Sequence, residues 1–212
     1  RPGAFYAAVD SFSIQVTGKG GHGARPNNTI DTTLVGSAIV MALQSIVSRN
    51  TDPQQPLVVS VTSFRTDTDA FNVIPAHATL RGTVRSFDMN VRAHTLQRIA
   101  EIADLTARSY GATAELTADE LPYPVMSNHA AETEHCVAAA RVVAGDCTAD
   151  APRTTGGEDF AYMLNDCPGA YIQVGNGPSA GLHHPEYDFN DDLIPVGCSY
   201  WVTLAEQRLA VA

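Results

Sequence analysis

Ser11-Phe12-Ser13-Ile14-Gln15-Val16-Thr17 is the stretch on which the fold turns. From Ala7 to Lys19, Phe12, Ile14 and Val16 alternate with small or polar residues, the period-two pattern of a strand with one buried and one solvated face. Gly18 to Asn28 then break the pattern with glycines, a proline and two asparagines. From Ile30 to Arg49, Ile30, Leu34, Val35, Ala38, Ile39, Ala42, Leu43, Ile46 and Val47 recur every three or four positions, which predicts a long amphipathic helix. Leu57 to Phe64 is β-branched and apolar, and Ala78 to Phe87 alternates Leu80, Gly82 and Val84 with Thr79, Arg81, Thr83 and Arg85. Both read as strands. Helical spacing returns from Val91 to Tyr110, Gly111 stands where a helix C-cap would, and Thr113 to Thr117 reads as one more strand. The order β-α-β-β-α-β predicts a ferredoxin-like α+β sandwich over residues 8–119, a four-stranded antiparallel sheet with two helices on one face.

Leu121-Pro122-Tyr123-Pro124 changes the character of the chain and reads as an inter-domain linker. Beyond it we expect a helix at Ala130 to Ala144, a short helix at Glu158 to Leu164, a buried strand at Ala170 to Val174 and a closing helix at Leu193 to Leu209. A wholly apolar strand among helices points to an α/β layer made by residues 120–212 together with 1–7. One strand and three helices are too few for a complete α/β domain, so this region is expected to be half of one.

Thirteen basic and 23 acidic residues give a formal charge of -10, which argues against nucleic acid and anionic membranes as partners. Arg92, Arg98 and Arg108 are scattered along a helix and fit a solvated face. No apolar run is expected to reach the ~20 residues that span a bilayer. Cys136, Cys147, Cys167 and Cys198 are widely spaced, with no C-x-x-C pair, as in a reduced cytoplasmic protein. The first residue is Arg1, so a preceding segment could hide a targeting signal.

Four stretches carry candidate chemistry. Leu182-His183-His184-Pro185-Glu186-Tyr187-Asp188-Phe189-Asn190-Asp191 offers imidazoles and carboxylates around a stiff turn, as the last ligand segment of a metal site would. Adjacent residues of an extended turn point to different sides, so one histidine of the pair faces a given metal. Gly18-Lys19-Gly20-Gly21-His22-Gly23-Ala24-Arg25-Pro26 lets the backbone project His22 off the fold, as hydrogen-bond donor, acid or ligand, or as a merely solvated side chain. Asn72-Val73-Ile74-Pro75 and Arg85 together offer an amide and a guanidinium fork suited to a carboxylate, or separately a capping asparagine and a surface arginine. Gly156-Gly157-Glu158-Asp159-Phe160 is a turn into a helix, where the acids complement the helix dipole or the glycines expose amides to a ligand.

Taken with Gly82-Thr83-Val84-Arg85-Ser86-Phe87, these stretches in this order resemble the aminoacylase and carboxypeptidase family of dinuclear-metal amidohydrolases, in particular its hippurate hydrolase branch. The resemblance spans nearly the whole chain. It implies that the sandwich is an inserted lid and dimerisation domain, and that the remainder is the C-terminal part of an α/β metallohydrolase domain. His22 resembles the lid histidine that reaches a neighbouring subunit's site and stabilises an oxyanion. Asn72 and Arg85 resemble lid residues that grip the substrate carboxylate, Gly157 is placed at the substrate, and His183 is similar to the final metal ligand. The reaction implied is hydrolysis of the amide of an N-acyl amino acid by metal-activated water, with two divalent ions, zinc or else manganese, cobalt or nickel. Family members carry a preceding segment with the other ligands and the general base. The chain as written is therefore expected to bind metal weakly and to be inactive alone, working as a homodimer when complete. An assembly or ligand-binding module without chemistry is the other reading, and an RNA-binding sandwich is disfavoured by the acidic charge and the lack of strand aromatics.

Overall fold

The computed structural model describes residues 1–119 and 121–209. In chain order it contains β1 (Gly3–Tyr6), β2 (Ala8–Thr17), β3 (Gly21–His22), α1 (Thr32–Ser45), β4 (Leu57–Thr66), β5 (Val73–Ile74), β6 (His77–Ser86), α2 (Met89–Ser109), β7 (Thr113–Ala118), β8 (Met126–Asn128), α3 (Ala130–Ala144), α4 (Phe160–Asp166) and α5 (Leu193–Arg208). Contacts divide the chain into two units, one of Tyr6–Met126 with Thr154–Asp159, the other of Arg1–Phe5, Ser127–Arg153 and the residues from Phe160 on. The second region expected from the sequence began at Glu120 and ended at Ala212. Glu120 and residues 210–212 lie outside the described residues.

The period-two stretch forms the middle of β2. It lies inside a four-stranded sheet of order β4-β6-β2-β7, antiparallel at each pairing. Phe12, Ile14 and Val16 are buried, and with Leu80 and Val84 of β6 they meet Val35, Ile39 and Leu43 of α1 and Ile99, Ala103 and Ala107 of α2. Each fully buried aliphatic side chain there contributes roughly 1.5–3 kcal/mol relative to exposure. Both helices start on a side-chain cap: the carboxylate of Asp31 accepts from the amides of Thr33 and Leu34, and that of Asp88 from those of Asn90 and Val91. Close approach sets one residue of the sheet. A Cβ on Gly82 would stand 2.3 Å from the Phe12 ring, so only glycine lets β6 pass beneath it.

Asp10 sits on the same buried face at 1 % exposure, where Arg92 of α2 binds it through Nε at 2.8 Å and Nη2 at 2.6 Å. That fork ties the first turns of α2 to the start of β2.

One expectation about length is corrected. Continued by a π-helical turn at Ile46–Asn50, α1 makes a 19-residue helix apolar enough to cross a membrane by length and composition. Its apolar residues have another use, because Val35, Ile39, Leu43 and Ile46 are buried in the core of the sandwich.

In the other unit, β1 pairs with β8, and Cys136 and Ala139 of α3 pack on Tyr200 of α5 with Ala140, Ile172 and Leu204 around them. α3 ends on Gly145 in the left-handed conformation at φ 74°. The strand expected at Ala170 to Val174 does not form. A ladder needs a partner strand, and here the Asn128 carboxamide takes that place by accepting from the Tyr171 amide at 2.8 Å and donating to its carbonyl at 3.0 Å. The short helix also begins later than expected, at Phe160 rather than Glu158.

Candidate functional site

At one end of the sandwich the strap β3–β5 joins two loops. His22 lies opposite Val73 in that pairing, and the Gly23 amide donates to the Asn72 carbonyl at 2.8 Å. A Cβ at position 23 would press on the Asn72 backbone at 3.2 Å, so the glycine allows the approach. His22 and Asn72 are both exposed on this tip. The Ala24 amide donates to His22 Nδ1 at 3.1 Å. In the neutral ring an Nδ1 that accepts leaves the proton on Nε2, which makes His22 a hydrogen-bond donor through Nε2.

Arg85 stands at the other end. It is one residue from the end of β6, on the face opposite the helices, flanked across the ladder by Val9 and Val58. Among the described residues its guanidinium has no hydrogen bond or ion pair. Gly157, in the same unit, packs against Val9, the ladder partner of Arg85. A Cβ there would lie 2.3 Å from Val9 Cγ2 and 2.8 Å from the Tyr123 ring, while the Val9 amide donates to the Tyr123 carbonyl at 2.9 Å.

The structure therefore pairs the candidates differently from the sequence reading, which grouped Asn72 with Arg85. Asn72 precedes β5 at the His77 end of β6, and Arg85 is reached only after the strand has run from His77, roughly 26 Å further at ~3.3 Å per residue. Within one chain His22 and Asn72 share a tip, Arg85 and Gly157 share the opposite end, and the two pairs do not meet.

In the other unit, Leu182 and His183 form the corner of a turn closed by the His184 amide on the Gly181 carbonyl at 3.1 Å. Pro185 and Glu186 form the corner of the next, closed from Tyr187 to His184 at 2.9 Å. His183 has φ 67°, and among the described residues no other non-glycine residue has positive φ. The neighbouring imidazoles differ. His184 Nδ1 accepts from the Glu186 amide at 3.1 Å, whereas the His183 ring has no hydrogen bond among the described residues. Tested against a divalent metal, this donor set fits one corner: His183 is a free imidazole, and no group of three or more His, Cys, Asp or Glu among the described residues could hold an ion. A cavity of about 270 Å³ in the same unit, between α3, α5 and residues 171–175, contains none of these candidates.

Residues 7–207 match the family described as Peptidase family M20/M25/M40. The chain belongs to that family. This M20/M25/M40 chain is 44 % identical over 197 residues to YhaA of Bacillus subtilis (strain 168), covering 90 % of its own length and 49 % of YhaA. It is 34 % identical over 211 residues to a hippurate hydrolase of Campylobacter jejuni, covering 99 % of its own length and 55 % of that enzyme. Its structure matches the Bacillus subtilis YXEP protein, described as a dinuclear metal binding peptidase from the M20 family, with a TM-score of 0.79 and 29 % identity, over 100 % of this chain and 53 % of that one. The chain spans about half the length of the curated relatives it matches.

Two features of this M20/M25/M40 chain escape a reading by motif. Asn176 bonds residues twelve and fourteen positions away, and the strap between the His22 and Asn72 loops joins segments fifty residues apart. Asn176 lies in Gly175-Asn176-Gly177-Pro178, which marks a turn and says nothing of distant partners.

Proposed function

We propose that this chain provides the lid and one metal ligand of a dimeric, metal-dependent amidohydrolase acting on N-acyl amino acids or small peptide-like substrates. Family membership and the hippurate hydrolase relative support the reaction class, and the dinuclear metal binding relative supports divalent metal. Zinc is our choice of ion. The sheet order β4-β6-β2-β7 with both helices on one face supports a ferredoxin-like lid. Leu34 and Met41 are exposed on α1, and β4 is an edge of its sheet, which supports the lid as the dimer contact.

The observation that carries the proposal is the separation of the two pairs along β6. A carboxylate held by Asn72 and Arg85 together takes them from two chains, so His22 and Asn72 of one subunit serve the substrate held by Arg85 of the other. Arg85, without a partner among the described residues, offers its fork to the substrate carboxylate. His22 donates from Nε2 to the amide oxygen as that oxygen gains charge, an interaction stronger in the transition state than in the ground state. Held by the Ala24 amide in the donor form, the ring stabilises charge without giving up its proton. His183 would hold the metal, which when bound acts as a Lewis acid and lowers the pKa of its water. The other ligands and the general base come from outside the described residues.

Mixing two inactive variants of the assembled enzyme, His22→Ala and Arg85→Ala, tests this. In a randomly mixed population half the dimers are hybrids with one intact site, so activity should return to about a quarter of wild type. No recovery, with hybrid dimers verified by mass, would refute the two-chain site. The reading as an assembly module, which rests on the lack of a metal-holding group among the described residues, requires dimers and no hydrolysis from any mixture.

A further inference from the structure

We infer that Asn176 is a positioning residue for His183, holding the imidazole in its left-handed backbone conformation so that it can ligate metal. The inference rests on the reading of His183 as a ligand.

A histidine with φ 67° at the third position of a turn occupies the place that glycine or asparagine fills at least cost. Conformations of this kind persist only where the surroundings over-determine them. Here the surroundings converge on one carboxamide. Asn176 Nδ2 donates to Ser179 Oγ at 3.0 Å and to the Asp188 carbonyl at 2.7 Å, and its Oδ1 accepts from the Asn190 amide at 2.9 Å. Both of its donors and its acceptor are used. Since Asn176 precedes the two turns and Asp188 and Asn190 follow them, the side chain draws together the feet of the loop that carries His183.

The far foot is anchored in turn. Asn190 Oδ1 accepts from the Asp192 amide at 3.1 Å and its carbonyl accepts from Leu193 at 3.0 Å, the first residue of α5. The order of support runs from α5 through Asn190 and Asn176 to the loop, while the Gly181–His184 and His184–Tyr187 turns set its course. His183 contributes no ring hydrogen bond to this frame. The direction in which its ring leaves the chain is therefore set by its backbone, and we take the closure that Asn176 makes to hold that backbone in place. No other residue type presents two donors and one acceptor at this reach. Aspartate has the shape but no donors, glutamine is a methylene too long, and alanine has neither function.

The test uses Asn176→Ala and the isosteric Asn176→Asp in the assembled, metal-loaded enzyme, with His183→Ala and each double variant. Zinc affinity is measured by chelator competition, the ligand field by cobalt absorption, and the His183 backbone by its φ-dependent NMR coupling in isotopically labelled protein. Loss of the support behind a ligand should weaken zinc about 10- to 100-fold and change the cobalt spectrum as His183→Ala does. In the His183→Ala background the further loss should vanish, because Asn176 acts through that side chain. Asn176→Asp keeps the acceptor and serves if the alanine variant disturbs the loop beyond repair. An unchanged His183 coupling, or an equal loss of affinity with and without His183, would overturn the inference. Should His183→Ala bind zinc like wild type, the ligand reading falls, a result separate from the coupling measurement on Asn176.

Discussion

Gly23 donates its amide proton to the Asn72 carbonyl across 2.8 Å, and this bond makes one tip of two loops fifty residues apart in sequence. The same end of the sandwich thus presents an imidazole whose Nε2 is a donor and an exposed carboxamide, while the Arg85 guanidinium stands at the far end of β6.

Replacing the donor at this tip should slow chemistry and leave assembly intact. On the proposed function, His22→Ala in the assembled enzyme should lower kcat on an N-acyl amino acid about 10²- to 10³-fold, the usual cost of one oxyanion donor. His22 is exposed, so the sedimentation coefficient should match that of wild type. A loss confined to KM would contradict the role.

Gly157→Ala should destabilise the sandwich unit by about 1–3 kcal/mol, because the added Cβ meets Val9 Cγ2 at 2.3 Å and the Tyr123 ring at 2.8 Å. Truncating the obstacle with Val9→Ala in the same chain should recover part of that loss. Urea midpoints of the two single variants and the double variant measure the coupling, and strict additivity would show that the overlap is relieved by backbone movement instead.

The Asp10–Arg92 fork should prove asymmetric. Arg92→Met strands a carboxylate that is 1 % exposed and should cost about 3–5 kcal/mol, whereas Asp10→Asn leaves a guanidinium with 18 % exposure and should cost less. Asp10→Leu with Arg92→Met should be closer to wild type than Arg92→Met alone. Equal costs for the two single variants would mean that burial does not decide the penalty.

Tyr200 should make stability fall in strong alkali. Burial, followed by its hydrogen bond with Cys136, pushes the phenol well above its usual range. With the folded value raised, the contribution is complete below the unfolded pKa of about 10 and is lost as pH rises through the folded value. Denaturant midpoints followed upward from about pH 9 should fall more steeply for wild type than for Tyr200→Phe. Parallel curves would refute the shift.

Local patterns foretold many elements. α3 occupies residues 130–144 as expected, and β2, β6 and α2 lie within two residues of their expected ends. Failures fell where partners are remote. Ala170 to Val174 has strand composition, yet Asn128 rather than a strand binds Tyr171. The strap β3–β5 has two residues per strand, too short for any periodicity. The family resemblance picks out His183 over His184, and the structure adds the physical difference between them, a hydrogen bond on His184 Nδ1 and a positive φ at His183.

Alone, the sequence determined the alternating faces, most of the helices, the acidic charge and the motifs of the family, because each depends on residues a few positions apart. Tertiary structure decided which candidates share an end of the sheet. Strand register carries Arg85 the length of β6 away from Asn72, and backbone bonds between distant loops bring Asn72 to His22. Separation in space depends on pairing between remote segments, and no spacing within a motif contains it.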